Sequence, residues 1–130
     1  MSKLNGFEYF RYKHRRDVPT AVTINYRGYF ILNRSATINY IKEYRYCNFL
    51  FNKNKNLIGI KLLDEPNDFS YKINRKKANP SAFICGQCFL NHIEVGYKES
   101  KKYQLEYHEK EKMLIINLKK FIKLRKKKPI

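Results

Sequence analysis

The 130-residue chain has no tryptophan, three cysteines and only 11 acidic residues. Three is an odd number and too few for a disulfide framework, which favours a reducing, cytoplasmic compartment. No apolar run approaches the roughly 20 residues that a membrane-spanning helix needs, and the first residues lack the apolar core of a signal peptide. We therefore expect a cytoplasmic protein without a membrane partner.

The shortage of acids contrasts with 28 lysines and arginines, which give the chain a formal net charge of +17. Hydrophobic residues still make up 43% of the sequence, enough for the core of one compact domain and too many for wholesale disorder. Net charge carries no information about the fold. A large excess of cations does favour a polyanionic partner, and nucleic acid is the first choice.

The sequence has no pattern typical of an enzyme. It contains no Gly-rich phosphate-binding loop and no nucleophile elbow. Glu106, Glu109 and Glu111 surround a predicted turn instead of forming a metal-binding carboxylate cluster, and the three histidines have no nucleophilic partner at motif spacing. We predict a protein with no enzymatic activity and no cofactor.

One spacing is compatible with a metal site. Cys85, Cys88 and His92 would share a face if all three lay on one helix, and Cys47 or His108 would have to supply a fourth ligand. Structural zinc sites usually add a second pair of ligands at recognisable spacing, and no such pair is present. Buried thiols on an inner helix face are the simpler interpretation, so we predict no metal.

The termini are more basic than the rest of the chain. Residues 1–17 form a basic, aromatic-rich N-terminal extension, and residues 119–130 carry seven cations and no acid. A block of like charge repels itself until a partner neutralises it, so we expect 119–130 to be a flexible tail on a central domain at 18–118. A solubilising tail and a contact with a membrane surface are alternative interpretations.

The central domain shows the same order of elements twice. Copy one (22–63) and copy two (71–118) each resemble a strand, a short helix and a hairpin. The first helix would be capped by Asn33 or Ser35, and the second would begin at Pro80. We predict a β-rich α+β fold in which two strand–helix–hairpin copies share one core.

Both copies end in a predicted hairpin. In copy one, Tyr46–Phe51 and Leu57–Leu63 flank a turn rich in Asn and Lys. In copy two, Tyr103–Tyr107 and Met113–Leu118 flank a charged turn. β-Branched and aromatic residues on both sides of a polar turn are typical of hairpins.

The segment from Val22 to Leu32 carries a family resemblance. Its β-run, its basic–Gly pair Arg27-Gly28 and the short helix and hairpin that follow resemble the AbrB/MazE/SpoVT swapped-hairpin family of DNA-binding proteins. Leu32 stands where that family usually has proline, and copy two lacks the glycine. The resemblance implies a pseudo-dimer formed within one chain, or a homodimer, whose basic loops meet DNA to regulate transcription.

Under this interpretation, basic side chains of both copies and both extensions bind nucleic acid, with DNA favoured over RNA. Arginine suits phosphate contacts and the reading of guanine, whereas lysine suits phosphate alone. The predicted binding residues are Arg11, Lys13, Arg15, Arg16, Arg27, Arg34, Arg75, Lys76, Lys77, Lys123, Arg125, Lys126, Lys127 and Lys128.

Other functions stay open at this point. The chain would also suit an RNA-binding or accessory subunit of a larger nucleoprotein complex, or a structural assembly protein of phage or ribosome-associated origin. Rings at Phe7, Tyr9, Phe10 and Tyr12 alternate with cations, as on surfaces that stack single-stranded bases. Packing of these rings on the core is the simpler interpretation.

Overall fold

The structure, a computed structural model, describes residues 19–75 and 81–122. The strands are Ala21–Ile24 (β1), Tyr29–Leu32 (β2), Tyr46–Asn52 (β3), Leu57–Leu63 (β4), Tyr71–Lys72 (β5), Asn74–Arg75 (β6), Ala82–Cys85 (β7), Lys101–His108 (β8) and Met113–Ile122 (β9). The helical segments are Arg34–Ala36 (α1), which continues as a π-helical turn over Thr37–Ile41, and Gln87–His92 (α2). No helix in these ranges is long and apolar enough to cross a membrane.

All nine strands form one antiparallel sheet, in the order β5-β3-β4-β9-β8-β1-β2-β7-β6. The outermost strands β5 and β6 are consecutive in the chain and are separated only by Ile73. β5 pairs with β3, β6 pairs with β7, and the amide of Ile73 donates to the carbonyl of Arg45 at 2.8 Å. This short segment brings the two edges together, so the sheet is nearly closed and barrel-like.

The closed sheet has two ends, which we call upper and lower. The upper end holds the β1–β2 turn (25–28), the β3–β4 turn (53–56), the start of β8 and the end of β9, because Ile24 pairs with Lys101 and Leu57 with Asn117. The lower end holds the segment 33–45 and the β8–β9 turn (109–112), and the amide of Leu62 donates to the carbonyl of Lys112 there.

The core lies inside the sheet. Alternate residues of the strands point inward, and on β4 these are Ile58, Ile60 and Leu62, each at most 3% exposed. The two helical segments follow β2 and β7, which are antiparallel, so they lie at opposite ends of the sheet. Ile41 and Leu90 are fully buried and attach these segments to the core.

The predicted α+β class is wrong, and so is its arrangement as a swapped-hairpin-like pseudo-dimer of strand–helix–hairpin copies. Strands make up 48% of the described residues and helices 14%, and the strands of 22–63 and 71–118 belong to one continuous sheet. The error centres on copy two, because Ala82–Cys85 is a strand that pairs with β2, and α2 begins only at Gln87. The helical segments are too short to form a layer of their own.

Both predicted hairpins are confirmed, as β3–β4 and β8–β9. Asn33 caps α1, since its Oδ1 accepts the amide hydrogen of Ala36 at 2.9 Å. β9 is longer than predicted and runs to Ile122. The domain boundaries and the duplication itself stay predictions, and residues 1–17 lie outside the described ranges.

Candidate nucleic-acid interface

The structure describes three of the predicted binding residues, Arg27, Arg34 and Arg75. The others lie outside the described ranges: Arg11, Lys13, Arg15, Arg16, Lys76, Lys77, Lys123, Arg125, Lys126, Lys127 and Lys128.

The three described arginines do not converge. Arg27 lies in the β1–β2 turn at the upper end, and Arg34 follows β2 at the lower end, about 13 Å away along a four-residue strand. Arg75 is also at the lower end, where its Nη2 donates to the carbonyl of Tyr44 at 2.9 Å. The structure therefore does not bring Arg27 together with Arg34 and Arg75 on one face.

A different set of cations gathers at the upper end. Strand pairing brings together the β1–β2 turn, the β3–β4 turn, the start of β8 and the end of β9. We call the seven cations on these segments the basic end: Arg27, Lys53, Lys55, Lys101, Lys102, Lys119 and Lys120. Lys101 and Lys102 are half-buried and the other five are exposed.

The β1–β2 turn fixes the position of Arg27. The side-chain Oδ1 of Asn25 accepts the amide hydrogens of Arg27 and Tyr29, both at 3.0 Å, and Gly28 donates its own amide hydrogen to the Asn25 carbonyl at 2.9 Å. Gly28 has φ +78°, where a side chain is strained, and a Cβ there would lie 3.0 Å from the Cα of Gln87. The turn therefore holds Tyr26 and Arg27 outward.

A bulge in β9 presents Lys119 and Lys120. Residues 117–120 stand opposite the single residue Gln104 of β8, so β9 leaves the regular ladder over this stretch. The Oδ1 of Asn117 accepts the amide hydrogen of Lys119 at 3.0 Å, which stabilises the looped backbone. Both lysines are exposed as a result.

Two exposed aromatic rings lie among these cations. Tyr26 is 59% exposed and Phe121 is 51% exposed. The guanidinium of Arg27 lies 5.6 Å from the centre of the Tyr26 ring, and Nζ of Lys101 lies 5.1 Å from the centre of the Phe121 ring. Both distances fall within the range of cation–π attraction.

An open groove of about 570 Å³ runs beside the bulge. Leu57 and Ile115 give it apolar surface, and Glu106, Lys120 and Phe121 also line it. The groove therefore combines apolar surface with a carboxylate, a cation and a ring.

Few described carboxylates lie near the basic end, and one of them, Glu106, lines the same groove as Lys120. The acids at this end are Glu94 and Glu99, which share the α2–β8 loop with Lys98. None of the seven cations forms an ion pair with a described carboxylate, and the one close charge pair in 19–75 and 81–122 joins His108 Nε2 and Glu106 Oε2 at 3.4 Å.

The lower end has mixed charge. Its acids are Glu43, Asp64, Glu65, Glu109 and Glu111, and its cations are Arg34, Lys42, Arg45, Arg75, Lys110 and Lys112. Two of these cations contact Tyr44: Arg75 binds its carbonyl, and Nζ of Lys112 lies 5.9 Å from its ring centre. A hydrogen bond with Tyr44 raises the pKa of Lys112 above its ordinary value.

The possible metal ligands Cys85, Cys88 and His92 do not share one helix. Cys85 ends β7, whereas Cys88 and His92 lie on α2, so the face that the metal interpretation assumed does not exist. Cys47 is buried in the core, and this burial raises the pKa of its thiol to about 12. In the described ranges no group of three His, Cys, Asp or Glu side chains is placed to bind an ion.

No family model, curated protein or solved structure matches the chain. The resemblance to the swapped-hairpin DNA-binding family, and the regulatory role that it implies, therefore stay predictions. The function has to be argued from the chemistry of the basic end.

Six residues of the basic end were absent from the sequence-based prediction. Lys53 and Lys55 lie in a turn that the sequence did predict, and the acid-free composition of that turn was the available signal. Lys101 and Lys102 reach the same end only because β8 pairs with β1. No local pattern reports such a pairing.

Proposed function

We propose that the protein binds nucleic acid, without enzymatic activity, by holding backbone phosphates at the basic end. One observation carries the proposal: seven cations from four separate chain segments meet at one end of the sheet, and no described carboxylate forms an ion pair with them. Lysine and arginine clusters of this kind bind phosphate by releasing condensed counterions.

The spacing of the cations suits a phosphate backbone. β9, β8 and β1 are neighbours, and adjacent strands lie about 4.8 Å apart, so the strand ends at Lys101, Lys102 and Lys120 fall within about 10–15 Å. Long lysine side chains on this scale can reach several phosphates of one nucleic-acid segment. Affinity should then fall steeply as salt is added.

The basic end also connects directly to the most basic stretch of the sequence. β9 ends at Ile122, and the residues that follow include Lys123, Arg125, Lys126, Lys127 and Lys128. The described part of the chain therefore reaches the basic end immediately before this run of cations in the sequence.

Phosphate contacts do not distinguish DNA from RNA. The preference for DNA, and a role as a regulator, come from the family resemblance alone and are part of the proposal on that ground. An RNA-binding or accessory subunit of a nucleoprotein complex is the second candidate, because the same cations would serve it equally well.

Fluorescence anisotropy with duplex DNA, single-stranded DNA and RNA at two salt concentrations tests the proposal. The variant K119E/K120E should lose at least about tenfold in affinity at low salt and show a shallower salt dependence. The control K42E/K110E changes the net charge equally but at exposed lower-end positions, and it should stay within about twofold. If the wild-type protein ignores all three nucleic acids, or if both variants lose affinity equally, the proposal is wrong.

A further inference from the structure

We infer that Tyr26 and Phe121 form a base-stacking platform, so that the basic end takes single-stranded nucleic acid in preference to duplex. This inference rests on the proposed function and narrows its ligand. It starts from the two rings that stand more than half exposed within the cluster of phosphate-binding cations.

Phe121 keeps its exposure although it belongs to a strand. It pairs with Tyr103, which is only 5% exposed, yet the Phe121 ring itself is 51% exposed. The bulge at 117–120 separates this pair from the regular part of β9, so the ring stands at the rim instead of packing among the core residues. An apolar ring held in water at a basic site is suited to cover another flat apolar surface.

Tyr26 is held in place by its turn. The hydrogen bonds of Asn25 and the positive φ of Gly28 fix the backbone on both sides of Tyr26 and Arg27. A ring on a fixed turn loses little conformational freedom when a base stacks on it, which favours binding.

The two rings lie within reach of one short strand of nucleic acid. Ile24 of β1 pairs with Lys101 of β8, and Tyr103 of β8 pairs with Phe121 of β9, so the rings flank β8 from its two neighbouring strands. Two strand spacings amount to about 10 Å. Bases of one chain can therefore occupy both rings while the phosphates between them contact Lys101 and Lys102.

Each ring is paired with a cation, as on surfaces that bind single strands without sequence preference. Arg27 accompanies Tyr26, and Lys101 accompanies Phe121. On such surfaces rings stack bases while cations neutralise the backbone. The bases of an intact duplex are already stacked on each other and cannot present their faces to side chains, so the rings select unpaired bases.

The test compares anisotropy titrations of oligothymidine, oligouridine of the same length and duplex DNA at matched ionic strength. The variant Y26A/F121A should lose about tenfold or more on both single strands and stay within about twofold on duplex. The ring-retaining variant Y26F/F121Y should bind like the wild type. F69A removes a ring that is 80% exposed in the acidic β4–β5 segment and should change nothing.

A second measurement reports stacking directly. The chain has no tryptophan, so Tyr26→Trp introduces a single tryptophan at the platform, and its emission, excited apart from the tyrosines, should be quenched by oligothymidine. The platform is wrong if Y26A/F121A binds single strands like the wild type, or if it loses affinity for duplex and for single strands equally. It is also wrong if oligothymidine binds the Tyr26→Trp variant by anisotropy without quenching its emission. Failure of the wild-type protein to bind any of the three probes overturns the proposed function instead.

Discussion

The two ends of the sheet are built from the same kinds of parts but differ in what their cations contact. At the lower end, Arg75 and Lys112 contact Tyr44, and five carboxylates lie on the same loops. At the upper end, the cations of the basic end have no described carboxylate as a partner, and two of them lie against exposed rings. The comparison shows that the net charge of +17 describes neither end, because the neighbours of the cations differ between the two.

The two ends also differ in whether their cations already make contacts within the fold. The guanidinium of Arg75 helps to fix the closing segment of the sheet to the loop at Tyr44, because its Nη2 donates to the Tyr44 carbonyl. Lys119 and Lys120 are exposed on a bulge and have no such task. We expect substitutions at the two ends to separate binding from stability.

Charge reversal of the upper end should have the largest effect. The variant K101E/K102E/K119E/K120E should lose at least about 100-fold in affinity for nucleic acid at low salt, because four phosphate contacts become repulsive. Reversal of four lower-end cations, R34E/K42E/R45E/K110E, should cost less than about threefold. Anisotropy measures both, circular dichroism checks that both fold, and equal losses would abolish the distinction between the ends.

Disruption of the β1–β2 turn at the upper end should have the second-largest effect, in this case on stability. Gly28→Ala places a Cβ at φ +78° and 3.0 Å from the Cα of Gln87, so we expect the free energy of unfolding to fall by about 1–3 kcal/mol. Gly96→Ala is the matched control, because a Cβ at Gly96 meets nothing within 4 Å, and it should change stability by less than about 0.5 kcal/mol. Urea denaturation measures both, and a stable G28A protein would show that the turn is adaptable.

The buried thiol Cys47, on β3 near the lower end, predicts a pH dependence. Burial raises its pKa from 9.0 to about 12, so only the unfolded chain ionises this thiol between these values. The stabilisation is complete below about pH 9, and the free energy of unfolding should then fall by about 1 kcal/mol per pH unit. From pH 8 to 11 the free energy of unfolding, measured by denaturation, should fall less steeply with pH for C47A than for the wild type. Identical slopes for both proteins would contradict the raised pKa of Cys47.

Substitution of single lysines at the two ends should have the smallest effects on affinity. Lys120→Ala at the upper end should weaken binding a few-fold and reduce the slope of log affinity against log salt by about one. Lys110→Ala, in the β8–β9 turn at the lower end, should alter neither quantity. Titrations at three salt concentrations distinguish them, and a slope that changes equally in both would show that only total charge matters.

The hairpins were predictable because their signal is local. Alternating apolar residues meet across polar turns in β3–β4 and β8–β9, and each hairpin is complete within about 20 residues of sequence. The cap at Asn33 is local in the same sense. An excess of cations was likewise visible from composition alone.

The strand β7 and the basic end were not predictable in this way. Ala82–Cys85 is a four-residue apolar run, too short to separate a strand from a buried helix by its periodicity. The basic end depends on pairings between β4 and β9 and between β8 and β1, which join residues far apart in the chain. The sequence identified Arg27 as a binding residue. The other cations of the basic end lie beside it because of the pairing register of the strands, and the whole sheet determines that register.

The segment Tyr71–Arg75 also limits how much strand edge the described sheet exposes. It pairs with β3 at Tyr46 and Cys47 and with β7 at Ala82 and Phe83, so it covers part of each edge and leaves residues 48–52 of β3 without a described ladder partner on that side. Unpaired strand edges are places where a second chain can add a strand and begin aggregation. The closing segment therefore shortens the edge that is open to such an addition.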